Sequence, residues 1–371
     1  MDFDFSDDQE QLRDAVRKWV DKGYDFERRR KAVKAGGFDR AAYGELADLG
    51  LTGLYIGDDH GGMGMGPVEG MIAMEELGRG MVLEPLAQTL IASCLLGGDA
   101  PEALKSAWLP RVASGEALVV LAYQERKARY RLDACETVAE RSGDGWTVSG
   151  TKSIVPAGDQ ADAFLVPANV KGKIALFLVE RSASAVDARG YGTQDGSRAA
   201  ELTFQRTPAS LLTENGLAAL EQGIDVGIAA ICAEGVGVLD KTMQLTAEYM
   251  NTRKQFGVTL ATFQALRHRM ADMKMQQELA RSMSYYAALK LNAPADERRR
   301  AMARAKYQLG VAMRFVGQNS VQLHGGIGVM DEYIGSHYFK KLTQLELTFG
   351  DTLHQLGEVS ERMQDAAGVF A

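Results

Sequence analysis

The chain has 371 residues, 46% of them hydrophobic and 25% charged, which excludes a disordered or fibrous protein and allows two or three packed units. Its formal net charge of -7 supplies no global positive field. That argues against a nucleic-acid or membrane-surface role and requires local groups to hold any anionic ligand.

The amino terminus, Met1 to Asp8, is acidic, unlike a signal or transit peptide, and no apolar run approaches the ~20 residues of a membrane span. Cys94, Cys135 and Cys232 are an odd number without metal-ligand spacing, each in an apolar or small-residue context. They are expected to be reduced core thiols, with no metal site, in a reducing cytoplasmic setting.

A helical domain is expected over residues 1–115. Ser6-Asp-Asp-Gln9 has the form of a capping box, and Leu12, Val16, Trp19 and Val20 follow at helical spacing. A second apolar-periodic stretch runs from Pro67 through Met71, Met74 and Leu77 to Leu83. The intervening His60-Gly-Gly-Met-Gly-Met-Gly66 is read as a loop, because this density of glycine does not hold a helix.

Short β-rich runs at 117–123, 146–149, 164–166, 174–179 and 201–204, separated by Gly, Asp and Ser, predict a β-domain over 116–214. Helical periodicity returns with Ile224, Ile228, Ile231, Gly235 and Val238 and fills 215–371. Long patterns cover 264–291 and 298–323, with Asn292-Ala-Pro-Ala-Asp296 as the break between them. The fold class is α+β multidomain, mostly α.

Two segments of the last domain carry candidate chemistry. Arg253-Lys-Gln-Phe-Gly257 with Gln264 offers a guanidinium, an aromatic face and an amide after a helix, a set suited to a diphosphate and its nucleoside. Alone, such an arginine also serves as a structural cap. Gln322-Leu-His-Gly-Gly-Ile-Gly328 ends a helix in glycines that let backbone N–H groups approach a phosphate, or that simply terminate the helix. The basic runs Arg28-Arg-Arg-Lys31, Arg126 to Arg131 and Arg298-Arg-Arg300 read as solvated faces; for the second, partner docking or capture of an acyl carboxylate is the alternative.

Together, at this separation in a helix, β, helix chain, the two segments resemble the acyl-CoA dehydrogenase family. Gly61-Gly-Met-Gly64, Glu75-Glu-Leu-Gly78, Gly150-Thr-Lys152 and Gly196-Ser-Arg198 extend the resemblance over nearly the whole chain. Gln124-Glu-Arg-Lys-Ala-Arg-Tyr130, Gly192-Thr-Gln-Asp-Gly196 and Phe349-Gly-Asp351 are similar to one branch, the small subunits of pimeloyl-CoA dehydrogenases. The resemblance implies an amino-terminal helical domain, a middle β-barrel-like domain and a carboxy-terminal four-helix bundle. It further implies FAD as cofactor, an acyl-CoA substrate oxidised between its α and β carbons in fatty-acid β-oxidation, and electron-transfer flavoprotein as acceptor. Arg253, Phe256, Gln264, Gln322, Gly325 and Gly326 match the family's residues that reach the adenosine and diphosphate of a neighbouring subunit's FAD.

The match breaks where the reaction needs a base. Counting without gaps from Gln322 puts Phe349 at the family's catalytic glutamate, and the alternative position used by some relatives falls on Gly227. Asp351 and Asp225 are the nearest carboxylates, each displaced by two residues from its position, and Asp351 otherwise reads as the cap of a helix beginning near Thr352. The family's own-subunit flavin cradle is likewise replaced, by Gln124 to Tyr130 and by Ser153-Ile-Val-Pro156. The implied protein is a catalytically incomplete small subunit of a heterotetramer, acting on a dicarboxylyl or steroid side-chain thioester with a homologous large subunit. The alternatives are a self-sufficient homo-oligomer using Asp351 and a flavin-free scaffold.

Overall fold

The structure, a computed structural model, describes residues 5–367, with side chains as far as 363; the acidic residues 1–4 lie outside the described residues. Ser6 opens α1 (Asp7–Gly23): the Gln9 N–H donates to its hydroxyl and its own N–H donates to the Gln9 side chain, the expected reciprocal cap. Leu12, Val16 and Val20 line the buried face. Then follow α2 (Phe26–Lys34), α3 (Arg40–Asp48), α4 (Pro67–Gly80), α5 (Leu86–Gly97) and α6 (Glu102–Ala113). In the loop before α4, Gly61 and Gly64 adopt positive φ (78° and 62°), which glycine accepts without strain.

Seven strands come next: β1 (Val119–Leu121), β2 (Val138–Ser142), β3 (Gly145–Pro156), β4 (Ala163–Val170), β5 (Lys173–Glu180), β6 (Val186–Gly192) and β7 (Arg198–Thr213). β4, β2, β3, β7 and β5 pair in turn, and β5 returns to β4, so the sheet closes on itself as a barrel, with β1 beside β4 and β6 beside β7. Phe164, Val166, Phe177, Val179, Leu202 and Phe204 fill its interior. β2 and β6 escape sequence reading because both are largely exposed and polar; pairing with β3 and β7 makes them strands.

The remainder comprises α7 (Gly216–Thr252), the hairpin β8 (Lys254–Gln255) and β9 (Val258–Thr259), α8 (Gln264–Lys290), α9 (Ala295–His324), α10 (Ile334–Leu347) and α11 (Thr352–Ala367). Contrary to the sequence expectation, α7 is long and apolar enough to cross a membrane by length and composition. Its apolar window is 94% buried inside the protein, so it is a core helix.

The chain folds into two compact units that interleave in sequence. The first holds the residues up to Arg28, Pro67–Val82 and everything from Ile228; the second holds Arg29–Gly66 and Leu83–Gly227. In the first, α4 and α7 touch backbone to backbone: a Cβ on Gly78 would lie 2.1 Å from the Glu234 carbonyl oxygen, and one on Gly237 1.9 Å from that of Glu75. Arg281 pairs with Glu75 at 2.5 Å, Arg17 with Glu76 at 2.6 Å, and Arg79 with Asp240, tying α1, α4, α7 and α8.

In the second unit, the expected solvent face at Arg28 to Lys31 is corrected at Arg29, which is 1% exposed. Its guanidinium donates to the Asp195 carbonyl, joining α2 to the 193–197 turn, where a Cβ on Gly37 would meet the Gly196 carbonyl at 2.7 Å. A long side chain offering several donors is buried where a turn presents acceptors. In the first unit, residues 298–300 are half-buried rather than a free surface, with Arg299 within 4.0 Å of Glu358.

Candidate functional site

The last turn of α7 leads directly into the β8–β9 hairpin, where the Arg253 N–H donates to the Tyr249 carbonyl at 2.8 Å. Phe256 (φ 53°) and Gly257 (φ 81°) form the two-residue tip, the pair of left-handed conformations that a tight hairpin of right-handed twist requires. Glycine accepts this freely and phenylalanine does not. The strained tip holds Phe256 91% exposed, with Phe263 edge-on at 6.3 Å. Gln264, the first residue of α8, is also exposed.

The end of α9 is fastened to the end of α7. His324 is buried and stacks on Tyr249 with ring centroids 4.6 Å apart; Tyr333 packs against it at a tilt with centroids 5.2 Å apart, and the Thr246 and Ser320 hydroxyls meet at 2.9 Å. A carbonyl only accepts, so His324 Nδ1 carries the proton it donates to Ser320 O at 2.8 Å, and Nε2 accepts from the Tyr333 hydroxyl at 2.9 Å. Burial depresses the His324 pKa, which favours this neutral tautomer.

Past His324, Gly325 takes φ 65°, ψ -141°, a conformation essentially confined to glycine, and the space above the Gly325 and Gly326 backbones is open. Arg253, Phe256, Gln264, Gln322, Gly325 and Gly326 are all exposed, and the fastening of α7 to α9 brings both segments to one end of the first unit. Tyr249 and Tyr333, which hold this end together, were missed in the sequence. The available signal was an aromatic one helical turn before Arg253.

The turn between α10 and α11 is built differently. Phe349 (φ 56°) and Gly350 (φ 108°) are left-handed, and Phe349 is 7% exposed. Lys306, fully buried on α9, donates from Nζ to the carbonyls of Glu346 at 2.7 Å and Gly350 at 3.0 Å. Gln355 donates to the Phe349 carbonyl, and the Glu346 carboxylate accepts from the Thr352 N–H and hydroxyl. The Asp351 carboxylate accepts from the His354 N–H at 2.8 Å and so caps α11. Gly227 and Asp225 lie within α7, both buried.

In the second unit, the backbones of the segments 124–130 and 153–156 meet where the Ser153 N–H donates to Gln124 O at 2.8 Å. Glu125 is buried; burial alone would raise its pKa, but Lys152 Nζ at 2.7 Å, the Glu136 N–H and the Thr137 hydroxyl bring it down to about 2. Arg126, Lys127 and Arg131 are exposed as expected, facing Glu201, Glu136 and Asp133. Ile154 is left-handed and 47% exposed, beside a Ser153 hydroxyl bonded to Glu201. The expectation of three thiols in apolar surroundings fails at Cys135, whose Sγ lies within 3.6 Å of Lys152 Nζ and 3.5 Å of Glu125. Cys232 does fit it, with burial pushing its thiol up to about 12.

Helices, a closed barrel, helices, and an exposed arginine, aromatic and glycine set at paired helix ends define a dinucleotide-cofactor enzyme class. Residues 6–116 match the family description "Acyl-CoA dehydrogenase, N-terminal domain", and residues 214–364 match "Acyl-CoA dehydrogenase, C-terminal domain". The chain belongs to the acyl-CoA dehydrogenase family of oxidoreductases, whose cofactor is FAD. It is 30% identical over 335 residues to a short-chain specific acyl-CoA dehydrogenase of Megasphaera elsdenii, covering 84% of this chain and 86% of the relative. Among solved structures it is similar to a variant of the Tcur3481-Tcur3483 steroid ACAD (TM-score 0.89, 30% identity, 97% and 99% covered). It is also similar to the ChsE4-ChsE5 complex from Mycobacterium tuberculosis (TM-score 0.91, 26% identity, 98% and 99% covered).

Proposed function

We propose that this chain is the small, catalytically incomplete subunit of a heteromeric FAD-dependent acyl-CoA dehydrogenase, and that its clamp completes the flavin site of a homologous large subunit. The observation that carries the reading is a contrast within the first unit. Six residues suited to an adenosine diphosphate stand exposed, while the turn where the family places its base buries Phe349 and commits Asp351 to capping α11.

The residues present fit the ADP portion of FAD. The Arg253 guanidinium offers paired charge-assisted bonds to a diphosphate, Phe256 an open aromatic face, and Gly325 and Gly326 a backbone free of obstructing side chains. They fit the flavin ring poorly, because a left-handed Ile154 and the Arg126, Glu201 and Ser153 cluster occupy the cradle segments. When bound, FAD accepts the β-hydrogen of the thioester as hydride. The α-proton needs a base that Phe349 cannot supply, and losing general-base help costs ~10²–10⁴ in rate. The large subunit would supply base and ring pocket.

Two similarities support a heteromer. The solved relatives named above include a two-chain complex and a paired steroid enzyme, and three segments of this chain are similar to the small subunits of pimeloyl-CoA dehydrogenases. The substrate is accordingly an acyl-CoA thioester of the dicarboxylyl or steroid side-chain class, with electron-transfer flavoprotein as acceptor.

The test is to produce the chain alone and together with the product of its neighbouring gene. Expected are a colourless, inactive lone chain and a yellow, active complex. In the complex, Arg253→Ala weakens flavin binding about 10- to 100-fold, the equivalent of ~1.5–3 kcal/mol for a hydrogen bond to a charged group. A lone chain that purifies with stoichiometric flavin and turns over an acyl-CoA would refute the proposal.

A further inference from the structure

A thiol, an ammonium and a carboxylate meet in the barrel at a place that the proposed function does not use. Lys152 on β3 is fully buried, with Nζ 2.7 Å from Glu125 Oε1 and 3.6 Å from Cys135 Sγ. Cys135, in the segment leading into β2, also has Sγ 3.5 Å from the same Glu125 oxygen and 3.3 Å from Pro167 O. These contacts fix the sulfur against the lysine nitrogen.

Access is available. Cys135 is half-buried, and Glu125 and Thr137, which both touch its sulfur, line a cleft of about 430 Å³ together with Gly150 and Ser153. A small oxidant fits this space.

We propose that Cys135 and Lys152 are an oxidation-triggered cross-linking pair, joined through a sulfenamide bond when the protein meets hydrogen peroxide. In the first step the Cys135 sulfur attacks a peroxide oxygen. The S–O bond forms, the O–O bond breaks, and the departing hydroxide leaves as water with the thiol proton; sulfur loses two electrons and the peroxide gains them. In the second step Lys152 first gives up one ammonium proton by way of Glu125 to the cleft, and the lone pair of the resulting amine attacks the sulfenic sulfur. The S–N bond forms and the S–O bond breaks. A second nitrogen proton leaves with the hydroxyl as water. The product staples the segment before β2 to β3 and is lighter than the reduced protein by two hydrogens.

The experiment treats the full chain with hydrogen peroxide and maps its tryptic peptides under non-reducing conditions. Expected is a peptide pair joining Cys135 to Lys152, with cleavage after Lys152 lost, restored by dithiothreitol and absent from Cys135→Ser. Lys152→Arg keeps a cation beside Glu125 but does not form the same link, so dimedone capture of sulfenic acid at Cys135 should increase in that variant. Recovery of Cys135 as unlinked thiol, or equal dimedone capture in wild type and Lys152→Arg, would overturn the proposal. Because the mapping is done on the unaltered chain, the result stands even if a variant folds poorly, and it is independent of the subunit assignment.

Discussion

Lys306 shows how one buried charge shapes the turn between α10 and α11. Burial brings its pKa down to about 8, and its ammonium serves two backbone carbonyls that would otherwise lie dry. Between about pH 8 and the unfolded value near ~10.4 the unfolded chain binds more protons than the folded one. This group's contribution to stability therefore rises with pH across that window. Lys306→Met should flatten that slope, seen as the wild-type minus variant difference in urea midpoints at pH 8 and pH 10. It should also cost ~1–3 kcal/mol for each carbonyl left unpaired. None of this is legible in Arg304-Ala-Lys306-Tyr307, which resembles any solvated helical stretch. Arg253 and Phe256 stood out in the sequence as a guanidinium and an aromatic after a helix, whereas the β8–β9 hairpin that presents them did not.

Among elements, the crossing of α4 and α7 is set by two glycines. Gly78 and Gly237 let the helices approach until backbone meets backbone, and any side chain there collides with a carbonyl rather than with a flexible neighbour. Gly237→Ala should therefore destabilise by at least the ~1–3 kcal/mol of ordinary overpacking, despite alanine's higher helix propensity, in equilibrium denaturation of the first unit. Helix spans were readable from apolar spacing, as at 264–291, but the partner of each helix was not. The barrel makes the same point: β3, β4, β5 and β7 announce themselves by alternating or apolar runs, whereas the exposed β2 and β6 are strands through the partners they meet.

At the scale of the whole molecule, chain order and packing order differ. α1 and α4 belong with α8 to α11 in the first unit, joined by the Arg17, Glu76, Arg79, Asp240, Glu75 and Arg281 charges. A fragment of residues 215–371 alone leaves Arg281 without Glu75 and Asp240 without Arg79, and uncovers the face of α7 that meets α4. It should retain helical far-ultraviolet dichroism but lose near-ultraviolet signal and bind a hydrophobic dye, while the full chain does neither. The sequence by itself determined the Ser6 cap and the succession of helical, β and helical regions, since each follows from residues and their near neighbours. Only the tertiary structure decided which charges are buried, how the barrel closes and that Cys135 lies against Lys152. Burial and proximity arise from contacts between residues far apart along the chain, and local periodicity carries no record of them.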